Sequence, residues 1–340
     1  MALGRFSLAV MFAAACSDTS GGGGPIAIDD LRASYTAYLC NAAARCGVVE
    51  SSSVCRTLRF SASGTYSGLF TDGEIEAAKA GVMQYDGTAA GTCLGNFFST
   101  CDRNYLATTR ARVDACDHMF TATAASGAAC GIDQECVGGY CALTTTCMGT
   151  CSGGTPPMPH PTVGQSCMQD TTCVDSWCDT TMATWTCMAY QPTGATCTSD
   201  DHCQAGLSCR TGTCKALAAT GSPCLQSDDC SSIGDYCNGT TCAKLGVTGD
   251  ACVSSSQCAQ PFYTCDSATQ MCSLGPRLGD SCATTDACVD KSYCDTQMTA
   301  KCVALLADGA QCMQSNQCAG GLCDTTTTFP GTCTTPQICY

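Results

Sequence analysis

Apolar positions follow two different rules along this chain, and the change falls near residue 126. Between 26 and 126 they recur at helical spacing. Ile28, Leu31, Tyr35, Tyr38 and Leu39 line up near one helical face, with Asp29 and Asp30 where a helix N-terminus favours negative charge. Ser52 or Ser53 can cap a second short helix carrying Cys55 and Leu58. Thr71 or Asp72 can open a third that runs through Ile75 and Val82 and stops at Asp86 and Gly87. Further helical turns are expected over Cys93 to Phe98 and Val113 to Phe120.

Beyond this region cysteine sets the rhythm. Six times from Gly164 to Cys333 the chain reads glycine, two residues, cysteine, five residues, cysteine, four to six residues, cysteine, and then a looser gap to a fourth. The quartets are Cys167, Cys173, Cys178, Cys187; Cys197, Cys203, Cys209, Cys214; and Cys224, Cys230, Cys237, Cys242. They continue with Cys252, Cys258, Cys265, Cys272; Cys282, Cys288, Cys294, Cys302; and Cys312, Cys318, Cys323, Cys333. First cysteines recur every 27 to 30 residues, so residues 164–340 form a tandem array of one small unit.

Each unit opens on glycine, at Gly164, Gly194, Gly221, Gly249, Gly279 and Gly309, which predicts a positive φ or close contact with the previous unit. Asp or Asn in the first gap suits an Asx turn: Asp170, Asp200, Asp201, Asp228, Asp229, Asp286 and Asn316. One bulky residue stands beside the third cysteine, namely Trp177, Leu207, Tyr236, Tyr263, Tyr293 or Leu322, and is expected to cover the disulfides. Asp179, Asn238, Asp266, Asp295 and Asp324 follow that cysteine, with Arg210 the exception, and variable Thr- and Gly-rich residues lead to the fourth. This predicts a small hairpin whose tip tolerates length changes.

Spacing leaves the connectivity open. The expectation adopted is crossing pairing, first to third and second to fourth in each quartet, closing loops of about twelve residues that contribute roughly 3 kcal/mol each. Units this small need such staples.

A first copy of the unit is expected over 127–151, with Cys130, Cys136, Cys141 and Cys147 followed by a surplus Cys151. A Pro- and Gly-rich linker, 152–163, then separates it from the array. Cys151 and Cys339 could pair together, pair outside the molecule, or replace a neighbour in their own units. The region 26–126 holds six cysteines of its own, Cys40, Cys46, Cys55, Cys93, Cys101 and Cys116, which allow fifteen pairings. Cys40 and Cys46 point to different sides of one helix and should seek separate partners. As a recognition domain or as a stapled spacer, this region reads equally well.

With 37 cysteines in 340 residues, the chain belongs where thiols are oxidised, outside the cytosol. Only 6% of residues are aromatic, so no single large apolar core is expected. Net charge is −14, and the array holds sixteen Asp, no Glu and six Lys or Arg. That balance argues against nucleic acid as a partner and marks the carboxylates mainly as turn residues.

Residues 1–15 combine Arg5, an apolar run from Leu8 to Ala15 and small residues at its end, the order of a secretory signal peptide. Ala13, Ala14, Ala15, Cys16 resembles a bacterial lipobox, which makes Cys16 the lipidation site and residues 16–25 a lipidated cysteine with a Gly-rich tether. Ala13 stands where that motif usually carries Leu. Cleavage after Ala15 without lipid is the rival, but setting Cys16 aside leaves thirty-six cysteines, an even number.

Catalytic and metal patterns are missing or weak. No two cysteines are separated by only two residues, as zinc ribbons and thioredoxin-like sites require. His118, His160 and His202 are scattered, which leaves a metalloprotease helix or a Ser-His-Asp triad without its parts. His202 beside Asp200 and Asp201 reads as a solvated turn. Calcium is the more serious metal candidate, but its acidic ligands would come one or two per loop. Asn238, Gly239 and Thr240 form a glycosylation sequon.

Taken together with the lipobox, Cys40 to Cys46 in a helix, the stretch from Ala80, Gly81, Val82 to Tyr85 and Asp86, Cys116 and Asp117 to Phe120, and Gly127 through Cys151 resemble the secreted cysteine-rich lipoproteins of myxobacteria. The units resemble the Dickkopf N-terminal cysteine-rich module, most closely at Gly138, Gly139, Tyr140 and Cys141; Cys252 to Cys258 departs in lacking Asp. The fold class expected is small disulfide-rich repeats, irregular with short β-hairpins, in tandem after a small disulfide-stapled α-helical domain. No cofactor is expected, and the resemblance implies no established activity. The function expected is a non-enzymatic, exported outer-membrane or cell-surface lipoprotein, attached through an acyl chain on Cys16 and serving adhesion or protein or glycan binding through its disulfide-stapled repeat array. A secreted enzyme or protease-inhibitor module in the helical domain, and a calcium-stiffened spacer, are the alternatives.

Overall fold

A computed structural model of the chain describes residues 23–58, 69–101, 114–145, 147–153, 162–167, 173, 176–181, 184–204, 206–282, 288–296, 298–325 and 329–335. The expected signal peptide, Cys16 and Cys339 lie outside them, as does most of the 152–163 linker.

The helical region begins with α1, Leu31–Arg45. Its buried residues form two stripes rather than one. Leu31, Tyr35 and Ala42 enter the helical core, whereas Cys40, nine residues or two and a half turns beyond Leu31, and Ala43 enter a second cluster. The short helix α2, Ser52–Cys55, is capped by Ser51, whose Oγ accepts from Val54 N–H at 3.3 Å; Ser52 and Ser53 already lie inside it.

Thr71 opens α3, Asp72–Lys79, through a reciprocal cap in which Glu74 N–H donates to Thr71 Oγ1 and Thr71 N–H to Glu74 Oε2, at 3.2 and 2.7 Å. This helix ends before Val82, because Gly81 takes a positive φ of 78° and turns the chain. Met83–Tyr85 is then a strand, antiparallel to Phe120–Ala122. Asp86 starts a helix instead of stopping one: its Oδ1 accepts from Thr88 and Ala89 N–H at 2.8 and 3.0 Å and caps α4, Gly87–Phe97. Of the expected turn ending at Phe120, Asp114–Asp117 is helical, as α5, and Phe120 belongs to the strand.

Leu31, Phe70, Ile75, Leu94, Phe97 and Met119 are almost completely buried in the helical core. Tyr35 stands edge-on to Phe70 and Phe98, with centroids 5.7 and 5.5 Å apart. Disulfides join Cys40 to Cys55, Cys46 to Cys101 and Cys93 to Cys116.

The remainder is a series of small antiparallel sheets of two or three strands. In every unit the third and fourth cysteines are register partners across a hairpin, as Cys209 is with Cys214 and Cys265 with Cys272. The architecture is therefore a disulfide-rich repeat array beside a small helical region. The two regions also share a core. Cys40, Ala43, Val49, Cys55 and Leu58 pack with Cys252, Cys258, Ala259, Phe262, Tyr263, Cys272 and Val289.

Candidate functional site

One tandem unit is assembled from a short list of backbone hydrogen bonds. Its opening glycine donates N–H to the carbonyl of the fourth cysteine, as Gly194 does to Cys214 and Gly249 to Cys272, at 2.8 and 2.9 Å. These glycines have φ near +90° and open space where a Cβ would lie, so conformation and not crowding selects glycine there.

Between the first and second cysteines runs a single 3-10 turn, such as Asp200–His202, Ser227–Asp229, Ser255–Gln257 and Ser315–Gln317. The first side chain of the turn accepts the N–H of the third cysteine: Asp200 from Cys209 at 2.5 Å, Ser227 from Cys237 at 3.2 Å, Ser255 from Cys265 at 3.2 Å. The last one folds back onto the residue after the first cysteine. Leu225 N–H donates to Asp229 Oδ2 at 2.6 Å, and Met313 N–H to Gln317 Oε1 at 2.7 Å. At the hairpin tips, Asp179 and Asp266 lie below the usual carboxylate range, held by hydrogen bonds from Thr181 and from the Ala268 and Thr269 N–H groups. Several of the acidic side chains are thus ligands of the unit's own backbone.

Two disulfides cross in each unit. The bonds are Cys167 to Cys178 and Cys173 to Cys187; Cys197 to Cys209 and Cys203 to Cys214; Cys224 to Cys237 and Cys230 to Cys242. They continue with Cys252 to Cys265 and Cys258 to Cys272; Cys282 to Cys294 and Cys288 to Cys302; Cys312 to Cys323 and Cys318 to Cys333. In the copy at 127–151, Cys130 bonds Cys141 and Cys136 bonds Cys151, so Cys151 and not Cys147 completes the quartet. The hairpin there explains the exchange, since Cys151 is the register partner of Cys141. Cys147 is itself disulfide-bonded. Sulfur atoms of Cys197, Cys203 and Cys214 lie within 4.8 Å of one another, but closed bridges present no thiolate to a metal.

The bulky residue beside the third cysteine does not act alike in all units, and strand parity explains why. Leu207 and Tyr263 precede their cysteines by two positions, share the cysteine face, and are 9% and 0% exposed. Trp177, Tyr236, Tyr293 and Leu322 precede theirs by one and point to the opposite face. Ser176, Asp235 and Ser292 take the buried position instead. Most units therefore bury little but sulfur, and the expected cover is supplied only by Leu207 and Tyr263.

The outward position meets the 3-10 turn of the following unit. Trp177 stacks on His202 with centroids 3.6 Å apart and planes 15° from parallel. One unit on, Ser208 Oγ donates to the buried Asp229 at 3.4 Å, and Arg210 Nε lies 3.9 Å from the same carboxylate. His202, expected as part of a solvated turn, thus forms a joint between units. His118 is exposed on the helical region, and His160 lies outside the described residues.

The contact between helices and array was not visible in the cysteine pattern. Tyr263 Oη donates to Glu50 Oε2, Ile233 N–H to Cys101 O at 2.8 Å, and Leu58 pairs with Asp290 in a β-bridge. Backbones approach closely enough at Gly234 that a Cβ there would overlap the Cys46 carbonyl oxygen. One sequence signal was present: Phe262 and Tyr263 are adjacent aromatics, where other units carry one bulky residue.

Among the described residues no helix is long and apolar enough to cross a membrane. Compared with protein-family models, curated proteins and solved structures, the chain finds no match.

Proposed function

We propose that this chain is a non-enzymatic surface lipoprotein, exported, attached to the outer membrane or cell surface through an acyl chain on Cys16, and used for adhesion by binding a protein or glycan on its repeat array. The observation that carries the reading is the closed state of the sulfur chemistry. Thirty-four cysteines form seventeen crossing or stapling bridges among the described residues, a state that belongs to an oxidising, extracytosolic setting. The constant parts of each unit serve its own backbone, while the joint residues and hairpin tips differ from unit to unit. Variable surface on a constant scaffold is how repeat arrays present binding sites. The resemblance to secreted cysteine-rich lipoproteins and to Dickkopf-type modules belongs to the same proposal.

Intact mass of the protein extracted from its native membrane, with and without reduction and alkylation, tests it. The expected result is an N-terminal Cys16 bearing glyceride-linked acyl chains, with the remaining cysteines unreactive to alkylation until reduced. A lipid-free mature chain, or one with many free thiols, overturns the reading.

A further inference from the structure

The joints between tandem units are complementary at two places and open at a third. Trp177 is closed against His202, and Ser208 with Arg210 against Asp229. The corresponding pair between the fifth and sixth units is Tyr293 and Gln317, and there a cleft of about 330 Å³ remains. That volume lies at the lower end of the range for small-molecule sites. Leu306 and Met313 give it an apolar part, and among the residues lining it only Asp295 is charged.

One of its polar side chains is fixed. Gln317 Oε1 accepts N–H groups across the 3-10 turn, from Met313 at 2.7 Å and from Gln314 at 3.3 Å, while Gln317 N–H donates to the Gln314 backbone carbonyl at 3.1 Å. The Gln317 amide is thereby held through its oxygen and Gln314 is exposed beside it, while neither side-chain nitrogen has a partner among the described residues; both remain as donors. The Tyr293 hydroxyl likewise has none, and burial together with the Asp295 carboxylate raises its pKa, so it stays a neutral donor and acceptor. Asp295 is occupied by Met298 N–H and Thr299 Oγ1, at 3.2 and 3.1 Å.

From this geometry we infer that the cleft between the fifth and sixth units binds a neutral carbohydrate. The inference rests on the surface-binding reading above and specifies where and what the array binds. The negative face of the Tyr293 ring receives the positive C–H edges of a sugar ring. Gln314 and Gln317 donate to its hydroxyl oxygens, the Gln317 donor being locked before the ligand arrives. A site whose one charge is a carboxylate repels acidic saccharides, and without a basic group it offers no counter-ion to sulfate or uronate. A peptide would require a free strand edge or an apolar groove, and the cleft's amide donors suit it less well.

The test uses the full oxidised chain titrated calorimetrically with cellohexaose, chitohexaose, maltohexaose and mannohexaose, with a sulfated hexasaccharide and an unrelated extended peptide as further probes. At least one neutral hexasaccharide binds, and Tyr293→Ala weakens it tenfold or more. Tyr293→Phe, which keeps the ring, stays within about threefold of the parent, and Tyr236→Ala at another joint leaves binding unchanged. Unreduced intact mass and a parent-like amide spectrum show that each variant has folded. Binding of none of the neutral sugars, binding that Tyr293→Ala does not alter, or binding only of the sulfated or peptide probe overturns the assignment. If the cleft fails in this way while the acylated chain still holds cells to a surface, the adhesion reading stands without it.

Discussion

The helical region and the tandem units are stabilised by different materials. In the former, Leu31, Phe70, Ile75, Leu94, Phe97 and Met119 are shut away from water, and aromatic rings meet edge-on. In a unit such as that of Cys312 to Cys333, the buried cluster is the four cysteines, with Leu306 packed at its side. An apolar core ties many side chains to one mutual fit. Two crossing bridges act instead by restricting the unfolded chain, and leave most side chains of the unit unconstrained. This is why joint residues as unlike as Trp177, Ser208 and Tyr293 occupy equivalent places on one scaffold.

The largest effect expected from this contrast is that of reduction. Each unit has two bridges closing loops of 11 to 15 residues, worth about 6 kcal/mol together at roughly 3 kcal/mol apiece. Little burial replaces them. Reduction and alkylation without denaturant should abolish amide-exchange protection in the hairpins of all six units, while α1, α3 and α4 keep part of their helical signal at 222 nm. Hairpins that stay protected after complete alkylation would show that burial holds them after all.

The unit containing Tyr263 sharpens the comparison, because it borrows a core from the helical region. Tyr263 is fully buried there, among Val49, Leu58, Phe262 and Val289, whereas Tyr236 is only half-buried. Tyr263→Ala should destabilise the docked region by about 3–5 kcal/mol, within the range for large aromatic truncations. Tyr236→Ala should cost about 1 kcal/mol or less. Denaturant titration followed by exchange protection in α1 and in the strand Tyr263–Asp266 distinguishes them. Equal costs would mean that the shared core does not stabilise either partner.

Much of this was readable from the chain. Gly164 and its equivalents announced a positive φ, and Cys209 and Cys214, with four residues between them, announced a hairpin tip. The helix at Leu31 followed from Leu31 and Tyr35. What escaped was long-range. Cys40 looked like one more cysteine on α1, and only the fold shows its bridge to Cys55 forming a second buried stripe against Phe262 and Tyr263. Asp86 looked like a terminator because Asp marks helix ends of either kind, and only the N–H groups of Thr88 and Ala89 decide which. The cleft at Tyr293 escaped for a similar reason, since it depends on a shape mismatch between two successive units.

A smaller effect comes from the hydrogen bond that crosses from one region to the other, Tyr263 to Glu50. Burial alone would raise the Glu50 carboxyl, but hydrogen bonds from Thr248 and Tyr263 outweigh it and hold its pKa below the ordinary 4.5. A folded pKa below the unfolded one means that this contribution is complete above about pH 4.5 and is lost as pH falls through the lowered value. Tyr263 behaves in the opposite sense: burial, then the hydrogen bond to Glu50 and its charge, raise its pKa above 10.0, so its contribution is complete below pH 10 and lost as pH rises through the raised value. Docking should therefore be strongest between these limits, and because Glu50 is exposed the acid limb should be shallow and flatten further in salt. Glu50→Gln keeps an oxygen for the Tyr263 hydroxyl but cannot titrate. Chemical shifts of Tyr263 and Val49 followed down from pH 6 should move in the parent and stay flat in the variant; if both move alike, the pH response belongs to another group and the two regions are joined by packing alone.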